Sequence, residues 1–231
     1  MLADLEAVDA FAPEPNDQIF VVAGTGGGKS TLLATLTLDL PRLVAIDGKG
    51  SLTLPGAEVI ELPQFGSQGF DSALERAFRW RNHGKMRVIL RPHPLDTQNL
   101  ACHDVIFAAL YDQGPVFVWI DEISATGATA SRCPPWLLAL SARGRTRGIG
   151  IATCTQSAFA MTPLILRRNA RFTLIGCSDA QDLAGIKREG IEAAAEIAPK
   201  SGTFLLYEQG VIPPKVLRFD IPPALKGWQA P

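Results

Sequence analysis

Runs of four to six mostly apolar residues recur along the chain, and between them leucines and alanines return every three or four positions. The first pattern predicts strands buried on both faces, the second predicts helices packed against them. The strand runs are 18–22 (QIFVV), 43–46 (LVAI), 87–91 (RVILR), 115–120 (PVFVWI), 149–154 (IGIATC) and 172–176 (FTLIG); the helical stretches are about 29–39, 69–82, 98–111, 135–142 and 179–188. This alternation predicts an α/β fold with a mostly parallel central sheet and helices on both faces. Two later runs, 203–207 (TFLLY) and 215–219 (KVLRF), flank Gly210, Pro213 and Pro214 and predict an antiparallel C-terminal hairpin at the sheet edge. Leu2, Leu5, Val8 and Phe11 recur every three residues, as in a short amphipathic helix, and Pro13 and Pro15 cut that segment off. The organisation read from this is an arm over 1–17, a main domain over 18–221 and an unstructured tail over 222–231.

Composition narrows the class. With 231 residues, 47% hydrophobic and 19% charged, the chain can bury one sizeable core and is unlike a disordered tail or a collagenous repeat. Its net charge of −1 means that any nucleic-acid contact must come from a local basic patch. Cys102, Cys133, Cys154 and Cys177 form no C-x-x-C pair, and His83, His93 and His103 are isolated, so reduced thiols are expected and no metal cluster is indicated. Asp4, Glu6, Asp9 and Glu14 stand where a signal peptide would be basic, and no apolar run reaches the ~18 residues of a membrane span. A soluble, cytoplasmic protein with no integral membrane segment is expected.

The strongest chemical signal is Ala23-Gly24-Thr25-Gly26-Gly27-Gly28-Lys29-Ser30-Thr31, set between an apolar strand and a leucine-rich helix. Glycines let successive backbone N–H groups converge on phosphate oxygens, and the helix start adds its positive dipole end. This is the P-loop pattern. Gly24, Thr25, Gly26, Gly27, Gly28, Lys29, Ser30 and Thr31 are the candidate ATP-binding residues, Lys29 reaching the β- and γ-phosphates and Ser30 a Mg²⁺ ion. Ala23 replaces the first glycine of the pattern, where a compact side chain suffices.

A second signal is the apolar strand Val116-Phe117-Val118-Trp119-Ile120 ending in Asp121-Glu122. Such an acid, expected on a strand beside the P-loop strand, can hold Mg²⁺ through water, while Glu122 can orient or deprotonate an attacking water. Asp121 as a mere cap of the next helix is the competing role. A third segment runs from Arg143-Gly144-Arg145-Thr146-Arg147 through a strand to Thr155-Gln156. Gln156 is placed to meet the γ-phosphate or the lytic water, and the arginines are candidates for a finger acting in the same subunit or in a neighbour's site. Residues 123–178 hold seven arginines (132, 143, 145, 147, 167, 168 and 171) and no Asp or Glu, which suits either a DNA-facing surface or a solvated face.

In order along the chain, the loop at 23–31, the Asp47-Gly48-Lys49-Gly50 step, the Asp121-Glu122 pair and the Arg145…Gly148-Ile149…Thr155-Gln156 segment resemble the FtsK/HerA superfamily of P-loop ATPases, whose core is RecA-like. Within it they are most similar to the small genome-packaging ATPases of tailless, membrane-containing viruses. The resemblance spans about 20–180. It implies a homo-oligomeric ring that couples ATP hydrolysis to double-stranded DNA translocation, in the host cytoplasm and at the virion vertex, with capsid or membrane vertex proteins as partners. It also makes Arg145 the first choice for a finger acting in trans, with Arg147 and Arg143 behind it. Cys154 interrupts a segment that usually reads Ala-Thr-Gln. Two other classes remain open: a phosphotransferase acting on a nucleotide or small molecule, and a non-catalytic nucleotide-binding adaptor of a conjugation or secretion complex.

Overall fold

The computed structural model describes residues 6–7, 11–79, 86–156, 162–176, 202–211, 214–218, 221–226 and 228. The helix expected over 179–188, together with His83 and Cys177, lies outside them. In chain order the elements are β1 (Glu6–Ala7), β2 (Gln18–Val22), α1 (Lys29–Leu36), β3 (Arg42–Ile46), β4 (Glu58–Glu61), α2 (Phe70–Ala77), β5 (Met86–Arg91), α3 (Leu100–Gln113), β6 (Val116–Ile120), α4 (Pro135–Arg143), β7 (Ile149–Thr155), α5 (Leu164–Asn169), β8 (Phe172–Ile175), β9 (Thr203–Glu208) and β10 (Lys215–Arg218).

The strands form one sheet in the order β1-β10-β9-β8-β2-β7-β6-β3-β5-β4. From β8 to β4 every pairing is parallel; β9 runs antiparallel to β8 and β10. Every residue of β2, β6 and β7 is buried, as the unbroken apolar runs require of strands covered on both faces. Period-two alternation sends Val21, Ala45, Trp119 and Cys154 to one side, under Leu32, Leu33 and Leu36 of α1. Val44, Val88, Val118 and Ile151 go to the other side, under α2, α3 and α4.

Three expectations are corrected, and two elements, β4 and α5, have no counterpart in the sequence pattern. Residues 6–7 pair in parallel with β10 as a strand, not a helix, because the hairpin leaves an open ladder there that backbone groups of the arm can fill. The tail is ordered at 223–225: Leu225 is buried in the α1-side core and Trp228 donates from Nε1 to the Thr53 carbonyl at 2.9 Å. An apolar side chain with a core within reach docks, whatever the prolines around it. β4 has a single inward apolar residue, Ile60, between exposed glutamates, and α5 spans six residues. Neither is long enough to display a period. Finally, β6 is not beside β2. β7 lies between them, paired with both.

Candidate nucleotide site

All the parallel strands end at one edge of the sheet, and the loop leaving β2 lies there. Gly28 caps α1 with φ of 86°, a left-handed conformation that a β-carbon would strain, so the helix starts with its free N–H groups facing the loop. Lys29 is buried and folds back over the loop, donating from Nζ to the Ala23 carbonyl and, at 3.1 Å, to the Gly24 carbonyl. Burial pushes its ammonium below the ordinary lysine range. The ammonium therefore sits at the mouth of the loop, held by carbonyls that compete poorly with phosphate oxygens.

Ser30, in the first turn of α1, donates from Oγ to Asp121 Oδ1 at 3.3 Å, reaching the end of β6 across the end of β7. Asp121 is buried, and desolvation raises its carboxyl above the usual carboxylate range despite the opposing charge of Lys49. It does not cap the short 3-10 helix Ile123–Thr126 that follows. That role falls to Glu122, whose Oε1 accepts from Ser124 N at 3.4 Å and Ser124 Oγ at 3.1 Å. Its Oε2 accepts from Gln156 N at 3.1 Å and faces Lys49 Nζ at 3.6 Å. Gln156 closes the circle: Thr25 Oγ1 donates to its Oε1 at 3.3 Å. Thr31 stands one residue beyond Ser30 in α1. The sequence-derived set Gly24 to Thr31, Asp121, Glu122 and Gln156 is thus brought together at the carboxyl edge.

Arg145 and Arg147 are not brought there. They form a 3-10 turn ahead of β7 and so lie at the amino edge, separated from Gln156 by the seven residues of that strand, roughly 20 Å at about 3.3 Å each. The guanidinium of Arg147 lies over the Tyr111 ring, 4.5 Å from its centre. Arg143, Arg145, Arg147 and Arg168 are exposed at this edge, where α4 and α5 also end. Arg171 is neutralised. It pairs with Asp17 at 3.1 Å and Glu208 at 3.2 Å, acids that lie outside the 123–178 segment in sequence but beside it in space.

One constellation had no individual roles assigned from sequence. The Asp47 carboxylate, 1% exposed, accepts from the backbone N–H of Lys49 (3.2 Å), Gly50 (2.9 Å) and Leu52 (2.8 Å) and from Arg91 Nε at 3.0 Å. Arg91 also pairs with Glu61 at 3.1 Å. Gly48 packs against Ala125 so closely that a β-carbon would overlap it, which wedges this turn onto the segment following Glu122. Arg91 ends an apolar strand and could have been flagged as a charge at the functional edge; its partners could not. Among the described residues, Cys102, Cys133 and Cys154 are free, no metal-binding cluster occurs, and no helix is long and apolar enough to cross a membrane. His103 is buried and His93 accepts from Leu95 N through Nδ1.

The fold is that of P-loop NTPases, with the glycine-rich loop after a central strand and paired acids two strands away. Among solved structures the chain is similar to the genome packaging NTPase B204 of Sulfolobus turreted icosahedral virus 2. In its AMPPCP complex the TM-score is 0.66 at 18% identity over 88% of this chain and 98% of that one. In its ATP-gammaS complex the values are 0.66 and 15%, over 91% and 100%. The bacterial conjugative coupling protein TrwB follows at 0.62 and 14%, over 90% and 86%. No protein-family model and no curated protein sequence matches the chain.

Proposed function

We propose that the chain is an ATPase that moves double-stranded DNA, working as a homo-oligomeric ring in genome packaging. The observation that carries this reading is the meeting of Lys29, Ser30, Asp121, Glu122 and Gln156 at one edge of the sheet, with exposed arginines at the other. The likeness to B204, a genome packaging NTPase, and to TrwB, a conjugative coupling protein, supports it. Host cytoplasm and virion vertex are the corresponding locations, with capsid or membrane vertex proteins as recruiting partners.

In this reading Lys29 leaves the Ala23 and Gly24 carbonyls for the β- and γ-phosphate oxygens, and the loop N–H groups and α1 hold the remaining charge. Ser30 and Asp121 suit Mg²⁺: a hydroxyl and a buried carboxylate are hard oxygen donors, and the raised carboxyl marks an acid lacking a strong cationic partner. When bound, the ion would offset the charge that develops on the phosphate oxygens. Glu122 takes a proton from the attacking water as its oxygen bonds to the γ-phosphorus, and the β–γ bridging oxygen leaves with the bond pair as ADP. Gln156 orients that water through its side-chain amide.

Arg145 is out of reach of its own loop from the opposite edge, which supports a role in a neighbour's site and so a ring. The same placement removes Arg143, Arg145 and Arg147 as lid arginines of a phosphotransferase, which must close over the site in the same chain. Exposed Arg143, Arg147 and Arg168 are available to DNA phosphates. ATP turnover with and without duplex DNA tests the reading. DNA-stimulated turnover is expected; nucleotide binding with negligible turnover would instead favour the adaptor.

A further inference from the structure

The proposed chemistry gives no part to Lys49, although this residue makes the ion pair with Glu122. Its side chain is 35% exposed, while that of Glu122 is 6% exposed, so a mobile-ended cation reaches inward to a fixed anion. The turn beneath it is not loose. Three backbone N–H groups bind Asp47, Arg91 braces the other side of that carboxylate, and Gly48 rests on Ala125. The backbone of Lys49 is therefore fixed, and only its four-carbon stem can redirect the charge.

The ammonium stands within the field of the loop. Glu122 Oε2, which it faces, accepts from Gln156 N, and Gln156 Oε1 accepts from Thr25 Oγ1 in the loop itself. Lys29 lies near enough to feel the charge of Lys49, which opposes its protonation, while Glu122 favours it. Two lysines thus flank the place where a terminal phosphate would lie. Lys29 rests on neutral carbonyls and Lys49 on the one carboxylate that must be released to act as a base.

We propose that Lys49 is a specificity-determining, positioning residue that distinguishes triphosphate from diphosphate: it holds Glu122 until a γ-phosphate draws its ammonium away. This rests on the reading of the site as an ATPase centre. A γ-phosphate presents more negative charge than a single carboxylate and attracts the ammonium outward, freeing Oε2 for water. A diphosphate has no group at that place, and the Lys49–Glu122 pair persists. The site is then armed only when the bond to be broken is present.

The test is equilibrium binding of ADP and of AMPPCP, each with Mg²⁺, to the wild-type chain and to Lys49→Gln, Lys49→Arg, Glu122→Gln and the Lys49→Gln/Glu122→Gln pair. Lys49→Gln should weaken AMPPCP binding about tenfold or more, the scale of one charge-assisted hydrogen bond, and leave ADP within about twofold. Lys49→Arg should restore most of the loss. Glu122→Gln should tighten AMPPCP alone, because Lys49 is released in advance, and that gain should vanish in the double variant. Equal loss of both nucleotides in Lys49→Gln, no loss, or an equal gain for both nucleotides in Glu122→Gln overturns the proposal. The last readout does not depend on the folding of any Lys49 variant. Failure of the wild-type chain to bind either nucleotide overturns the ATPase reading as well, whereas binding without this selectivity overturns only the role of Lys49.

Discussion

The Ser30 hydroxyl donates to the Asp121 carboxylate at 3.3 Å although β2, which leads into the helix of Ser30, and β6 are separated by β7. The bond ties the first turn of α1 to the end of β6 and leaves Asp121 buried with a hydroxyl rather than a cation as its hydrogen-bond partner. Its carboxyl is raised by burial, so in the pH range between the unfolded value, 3.8, and the folded one, the folded chain holds the extra proton. Stability from this group is therefore lost as pH rises through that window, and the full penalty applies at neutral pH. Asp121→Asn removes the charge. It should raise Tm of the nucleotide-free chain at pH 7 while abolishing turnover, and the gain in Tm should shrink as pH falls toward 4. Thermal unfolding across pH checks this, and a lower Tm at pH 7 would contradict it.

Asp47, unlike Asp121, accepts from an arginine and three backbone N–H groups. Removing its carboxylate in Asp47→Ala leaves three backbone N–H groups without their acceptor and Arg91 with only Glu61 and the Leu52 carbonyl, and losing a buried, multiply hydrogen-bonded carboxylate of this kind costs about 3–5 kcal/mol. Denaturant unfolding should show a loss on that scale. A loss below about 1 kcal/mol, the range of an exposed ion pair, would mean that the turn is not held by this acid.

Arg145 lies at the amino edge and the loop at the carboxyl edge. Arg145→Ala should lower turnover by about 10³-fold or more while leaving nucleotide affinity near wild type. Mixing Arg145→Ala subunits with Glu122→Gln subunits should restore part of the activity, because some interfaces then join an intact finger to an intact glutamate. No recovery at any ratio would sink the trans assignment.

Arg168 is exposed, whereas Arg171 is paired with two acids. Arg168→Ala should weaken duplex binding and reduce the slope of log K against log salt by about 1; Arg171→Ala should leave that slope unchanged at low salt. The two variants exchanging these effects would place the DNA surface elsewhere.

The contrast between those arginines shows what the chain reveals directly. Residues 18–22, 116–120 and 149–155 are legible as central strands because burial on both faces demands unbroken apolar runs, and the loop at 23–31 is legible because phosphate contact demands glycine. Position in the sheet is not written locally. That β7 separates β2 from β6 follows from the path of α4, and Arg171 is neutralised by residues 154 positions before and 37 after it. The roles of Asp47 and Lys49 were hidden likewise, since Arg91 and Glu122 meet them only through the order β6-β3-β5. β4 and residues 223–225 were missed because a single inward side chain, Ile60 or Leu225, is enough to dock a short segment and too little to make a pattern.

The central claim is that a triphosphate lies in the loop ahead of Lys29 with the acids of β6 facing it. Crystals of the chain grown with AMPPCP and Mg²⁺ measure this directly. The account predicts phosphate density against the N–H groups of residues 26–30, Lys29 Nζ moved from the Ala23 and Gly24 carbonyls onto it, and Asp121, Glu122 and Gln156 turned toward its far end. An empty loop with Lys29 still on those carbonyls, at saturating analogue, would contradict it.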